Sequence, residues 1–239
     1  MSSVERYFRI LEHLADVPSD DLWAQHLGEV CATVTRTSGA AIMILSGSLV
    51  SGSWCTTDAT SRLIEDLQFT FGEGPCVEAH MLGKPVLEPD LADPEVRRWP
   101  AFTPPVLAAG ARAIFGFPVR IGAARLGALN LYRDAPGRLD AEQHADALVL
   151  ADMAARAILA VQADAPPDEL AAELEAGANF HLEVHQAAGM VAVQADCSVV
   201  EALVRLRGYA FRNDRSIADV AEDVVRRHLT FTMPEATGS

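Results

Sequence analysis

The residues best equipped for chemistry in this sequence are arginines near its C-terminal end. Between Ser198 and His228 stand Arg205, Arg207, Arg212, Arg215, Arg226 and Arg227, against five acids: Glu201, Asp214, Asp219, Glu222 and Asp223. That stretch is close to neutral, whereas the whole chain of 239 residues has a formal charge of −14. Guanidinium groups bind phosphates, and flat side chains among them stack on unpaired bases. Arg205 and Arg212 lie seven apart, two helical turns, so a helix puts them on nearly one face. Tyr209 falls between them and either stacks on a base or packs inward. The other reading of the arginine set is a solvated helix face.

A second candidate is Cys76, which follows Gly72-Glu73-Gly74-Pro75. A glycine-rich turn into a helix N-terminus would lower a thiol pKa and favour reactivity; the alternative is a buried, inert thiol. The four cysteines, Cys31, Cys55, Cys76 and Cys197, form no CxxC and have no zinc-ligand spacing. Paired thiol chemistry would need the fold to bring Cys55 to Cys76. His80 and His144 are isolated, so no metal site is expected and no cofactor is identified. Nucleophile elbow, Walker loop, dinucleotide fingerprint and HExxH are all missing, and the chain is read as a non-enzyme.

These residues need elements to position them. Val4, Tyr7, Phe8, Leu11 and Leu14 recur at helical spacing over 4–15. A second helix is predicted over 20–37, capped by Ser19 or Asp20 and ended by Gly39, with Leu22, Trp23, Leu27, Val30 and Val34 inward. The runs 40–46 and 49–55 flank Gly47-Ser48 and read as a hairpin. Residues 57–66 read as helix, and 69–76 as a turn ahead of a short helix. A strand is expected at 85–88 and a loop over 89–105. Two more strands, 112–120 and 124–132, join at Ile121-Gly122, and Asp140 caps a long helix to about 163. Helices segregated around an antiparallel sheet define an α+β domain.

Ala165-Pro166-Pro167 marks the expected boundary, since proline interrupts helical hydrogen bonding. Everything beyond reads as helix: 168–195, weakened at Gly177 and Gly189, then 198–212, then 216–229 with Ser216 as cap. The predicted domains are 1–163, a linker at 164–181, a three-helix domain at 182–232 and a frayed tail at 233–239.

Two stretches resemble known families. VHQAAGMV, EALVRLRGYAF and RSIADVAEDVV, within 184–225, resemble the ANTAR domain, an all-α three-helix RNA-binding output module of bacterial antitermination regulators. LQFTFGEGPC, VLEPDLAD and RAIFGFPVRIGAARLGALNLYR, within about 20–160, are similar to a GAF sensor domain. Together they look like the GAF–ANTAR regulators of actinobacteria. The resemblance implies binding to a pair of RNA hairpins in messenger leaders and transcription antitermination. It places Gln186, Gly189, Arg205, Arg207, Tyr209, Arg212, Arg215 and Ser216 at the RNA. In many members a basic residue precedes the glycine; here Ala188 stands there. The resemblance also implies an unidentified small ligand in the sensor. Phe69, Phe71, Cys76, Trp99, Phe102, Phe115 and Phe117 are candidates to line its pocket, or else belong to the core. Two hairpins suit two output domains, so a homodimer is expected, paired through the long helix and the helix after Pro167. A thiol sensor, or a helical module that binds DNA or protein, are the other readings.

Composition bounds these readings. Half the residues are hydrophobic, enough for a sizeable core. The acidic balance excludes a protein that coats nucleic acid by bulk charge, but not one with a small local site. Residues 1–6 show no signal-peptide core and no apolar run reaches 18 residues, so a cytoplasmic protein without a membrane span is expected.

Overall fold

The computed structural model describes residues 3–15, 23–46, 49–93, 95, 98–164, 182–213 and 215–231. The chain divides into two units, Met1–Gly177 and Ala178–Ser239. The expected cap at Ser19 or Asp20, the Gly47-Ser48 turn, the Ala165–Pro167 boundary with residues 168–181, and the tail at 233–239 lie outside the described residues.

The first unit is built on a five-stranded antiparallel sheet. Its strands are β1 (Gly39–Ser46), β2 (Leu49–Thr56), β3 (Val86–Glu88), β4 (Ala113–Ile121) and β5 (Ala124–Arg133), in the order β2-β1-β5-β4-β3. Its helices are α1 (Ser3–Leu14), α2 (Trp23–Thr35), α3 (Ala59–Phe71), α4 (Pro75–Leu82), α5 (Thr103–Ala108) and α6 (Ala141–Asp164).

Alternation along the strands sends side chains to two faces. Phe115, Phe117, Leu129, Leu131 and Ile42 point to the first, where they pack with Ile10 and Leu14 of α1, Leu27 and Cys31 of α2, and Leu150, Ala154 and Ile158 of α6. Ile114 and Tyr132 point to the second, with Ile64, Ala79, Trp99, Phe102 and Val106 from α3 to α5. β4 is buried on both faces from Ala113 to Val119.

Two glycines allow close approach. A Cβ on Gly127 would collide with the Met43 carbonyl across the β1–β5 pair, and one on Gly116 would lie 2.5 Å from the Pro75 carbonyl oxygen. α4 therefore rests directly on β4. An ion cluster ties α1 to α6. Arg6 bonds Asp146, whose side chain is 2 % exposed, and donates to the Glu142 carbonyl at 3.1 Å. Arg9 reaches the same Asp146 oxygen at 2.5 Å.

Several expectations shift. Gly39 does not end α2 but opens β1; the helix stops at Thr35, with Arg36 left-handed at φ +52°. Phe69 to Phe71 are not turn but the last turn of α3, which Gly72 ends at φ 64°. The 89–105 loop runs into α5. On α1 the buried apolar residues are Ile10 and Leu14, while Val4 and Phe8 are exposed. Asp140 does cap α6: its Oδ1 accepts from the Gln143 N–H and Gln143 Oε1 accepts from the Asp140 N–H, both at 2.8 Å.

The second unit contains α7 (Leu182–Gln194), α8 (Val199–Arg212) and α9 (Ile217–Val225). Ser198 caps α8 in a reciprocal box with Glu201. Ala187, Val191, Leu203, Leu206, Ala210, Ile217, Val220 and Val224 form its interior. α9 is shorter than the 216–229 stretch, because Arg227 turns left-handed at φ 62°. Among the described residues no single helix is long and apolar enough to cross a membrane. α7 and α8 meet that composition only as a pair bent by 107°.

Candidate functional site

In the second unit, α8 projects Arg205, Gly208, Tyr209 and Arg212 along one side. Phe231, beyond α9, closes a concavity of about 300 Å³ with them. Tyr209 and Phe231 meet edge to face, ring centres 5.5 Å apart at 67°. Phe231 is held there by its N–H, which donates to Gln194 Oε1 at 2.9 Å. Neither Arg205 nor Arg212 takes part in an ion pair among the described residues.

The other candidates are placed differently. Arg207 is half-buried, and desolvation pushes its guanidinium down to about 10, so it stays charged at neutral pH. Arg215 is spent within the unit, on Asp223 at 2.7 Å and the Asp219 carbonyl at 3.2 Å. Ser216 caps α9, its Oγ accepting from the Asp219 N–H at 3.0 Å. Both residues hold α9 in place, and both remain exposed. Gln186 is exposed on α7, and a Cβ on Gly189 would meet nothing within 4 Å. Ala188 is fully buried, so in this chain the position packs the core.

The seven residues proposed to line a sensor pocket do not form one lining. Phe115 and Phe117 lie on the α1/α2/α6 face, Phe117 against the His144 ring at 5.3 Å. Phe69, Phe71, Trp99, Phe102 and Cys76 lie on the other face. The physical reason is strand parity: odd positions of β4 face away from α4. Trp99 takes φ +55°, meets Phe102 edge to face at 6.0 Å and donates its indole N–H to Glu78 Oε2 at 3.2 Å.

Cys76 is fully buried at the start of α4, where burial pushes its thiol far up; its N–H donates to Gln68 Oε1 at 2.8 Å. Cys55 lies across the sheet from it, near Gly28 and Cys31 of α2, and burial pushes it up to about 12. The two thiols that paired chemistry would need together are therefore separated by the sheet, and burial raises both. Among the described residues no group of His, Cys, Asp and Glu could hold a metal ion.

Sequence reasoning missed a buried polar set under α3 and α4: Glu65, Gln68, His80 and Asn130, all at most 3 % exposed. The signal was present in the helix period, because Glu65 and Gln68 fall on the same stripe as Ile64 and Phe69. It missed Phe231 too, which lies beyond the last periodic helix. Two surface concavities in the first unit were also unforeseen. One, of about 500 Å³, is apolar and formed by Tyr7, Leu11, Leu14, Trp23, Met153 and Ala157 among others. The other is polar, with Asp58, Arg62 and Asp66 at the α2/α3 edge.

A five-stranded antiparallel sheet with helices on both faces, polar groups sealed beneath one of them, defines an α+β domain. Residues 22–159 match the GAF domain family, more than half of the chain, and the chain belongs to that family. The first unit is similar to the GAF domain of a phosphoenolpyruvate-protein phosphotransferase from Coxiella burnetii: 15 % identity, 67 % of this chain and 95 % of that one, TM-score 0.50. The corresponding domain from Acinetobacter is similar at 14 % identity, over 68 % and 98 % of the two chains, TM-score 0.49. At such identities the likeness shows the fold alone. No curated protein matches the chain. Family membership supports a signal-sensing, regulatory role for the first unit.

Proposed function

We propose that the chain is a signal-responsive regulator whose second unit is an ANTAR domain. In this reading it binds dual-hairpin RNA, promotes transcription antitermination in the cytoplasm, and is controlled by the GAF domain. The observation that carries the reading is the pair Arg205 and Arg212 on either side of the Tyr209 concavity, neither in an ion pair among the described residues. In the same unit Arg215 and Arg226 are neutralised by Asp223 and Glu222. Two guanidinium groups around an aromatic ring suit a phosphate backbone with unpaired bases.

The regulator acts without catalytic turnover; three of its four thiols are buried and so poorly suited to nucleophilic chemistry. It works as a homodimer, which would hold two output domains near two hairpins at high effective concentration. The apolar groove of α1, α2 and α6, with exposed Val4 and Phe8 beside it, supports pairing on that side.

The test is a mobility-shift titration of the full chain against a synthetic RNA with two six-nucleotide loops and against duplex DNA of equal length. RNA is expected to shift at concentrations where DNA does not. Arg205→Ala with Arg212→Ala is expected to weaken the RNA complex at least tenfold. Preference for duplex DNA, or unchanged affinity in the double variant, overturns the reading.

A further inference from the structure

α8 contains a glycine that no neighbour among the described residues requires. Gly208 is exposed within the helix, and a Cβ built on it would meet no heavy atom within 4 Å. Inside a helix glycine is inferior to alanine, since it loses more backbone freedom on folding. Gly39, Gly116 and Gly127 have a reason, because a Cβ there would strike a neighbour. Among the described residues no neighbour supplies Gly208 with such a reason, and a ligand would supply one.

Its surroundings indicate what that is. Gly208 lines the concavity of about 300 Å³ together with Arg205, Tyr209, Arg212 and Phe231. Tyr209 and Phe231 are each half-buried, and the ring pair is fixed from behind by Gln194 through the Phe231 N–H. A fixed aromatic surface, a missing side chain beside it and a cation on either side make a slot for a flat group that is followed and preceded by anions. An unpaired nucleobase in a polynucleotide has that form; a paired one hides its π faces in the stack.

Resting on the RNA-binding reading above, we propose that the Gly208 notch receives one unpaired base of the RNA. The base lies against Tyr209 and Phe231, with the flanking phosphates on Arg205 and Arg212. Phe231 thereby becomes a binding residue, and Gly208 a position kept small for the ligand's sake.

The experiment uses the full chain, the two-loop RNA and the variants Gly208→Ala and Gly208→Leu. Loop nucleotides are replaced one at a time by 2-aminopurine, whose fluorescence falls on stacking, or by an abasic residue. Gly208→Ala is expected to melt no lower than the native chain, and Gly208→Leu to fold and lose at least tenfold in affinity. One 2-aminopurine position should be quenched by the native chain and not by Gly208→Leu. The abasic residue at that position should weaken native binding and add little to the loss in Gly208→Leu.

Native-like affinity of Gly208→Leu, with binding lost in the Arg205→Ala, Arg212→Ala variant, overturns the notch and leaves RNA binding standing. A Gly208→Leu loss that adds fully to every abasic substitution also overturns it. Failure of the native chain to bind the RNA at all, with or without a protein partner taking the notch, overturns both.

Discussion

Cys76 begins α4 at the position where a helix N-terminus would favour a thiolate, yet burial pushes its thiol up. Desolvation outweighs the dipole, because the charged form would have to sit under α3 with no water. Cys31 and Cys55 are raised for the same first reason. Only Cys197 is partly exposed among the four. Native protein is therefore expected to release about one equivalent of thionitrobenzoate from Ellman's reagent promptly, and four in denaturant; prompt labelling of Cys76, read by peptide mass, would contradict this. Glu65 makes a second residue-scale test. Burial pushes its carboxyl well above the ordinary range, against the smaller downward pull of the Ser53 side chain beside it. The folded state holds that proton longer than the unfolded chain does. Its favourable contribution is thus complete below the ordinary carboxyl pKa and is lost as pH rises toward the folded value. Asp66, pushed up to about 6 by desolvation, behaves alike, so Glu65 is read from the difference between the native chain and its variant. Glu65→Gln should flatten the fall of Tm between pH 6 and 8 and raise Tm at pH 8. An unchanged slope would show that the native carboxyl ionises without cost.

At the scale of elements, the closest packing in the sensor unit is backbone on backbone. Gly127→Ala would drive a methyl into the Met43 carbonyl and separate β1 from β5 at the centre of the sheet. We expect a loss of about 1–3 kcal/mol or more, the range of overpacked cores, measured by urea unfolding. A neutral outcome would mean that the pair can separate locally. The order of helices and strands was legible, because period and punctuation are local: Asp140 and Ser198 announce α6 and α8 by the residues three positions on. Boundaries were less so. Phe69 to Phe71 read as turn because Gly72 and Gly74 follow at once, but a left-handed Gly72 completes the helix before the chain turns. The candidate pocket was the least legible part. Which face of β4 a phenylalanine takes depends on register with β3 and β5, and register is a long-range fact. The Arg205/Tyr209/Arg212 face was legible, since one helix fixes it; its closure by Phe231 was not, since that needs the chain to come back past α9.

For the whole molecule, the formal charge of −14 constrains how nucleic acid can be held. A chain this acidic gains little from bulk attraction, and the free cations at the concavity are few. The logarithm of RNA affinity should fall with the logarithm of salt at a slope of only about −1 to −3, with each arginine removed lessening it by about 0.7–0.9. A slope near −8 would require many more phosphate contacts than this face offers.

The cluster of Arg6, Arg9 and Asp146 bears on what can be cut away. The family match begins at residue 22, after α1 has ended. Asp146 belongs to the matched part, but both of its counter-cations belong to the part before it. A fragment starting at residue 22 would keep this carboxylate and lose both of the cations paired with it among the described residues. Removing one side of such a pair typically costs about 3–5 kcal/mol. We expect residues 22–164 to unfold at distinctly lower urea than residues 1–164, with Asp146→Asn restoring part of the difference in the short fragment only. On this expectation the region that matches the family is smaller than the region that carries its full stability. The first helix is inherited outside the family's outline but is electrically part of its core.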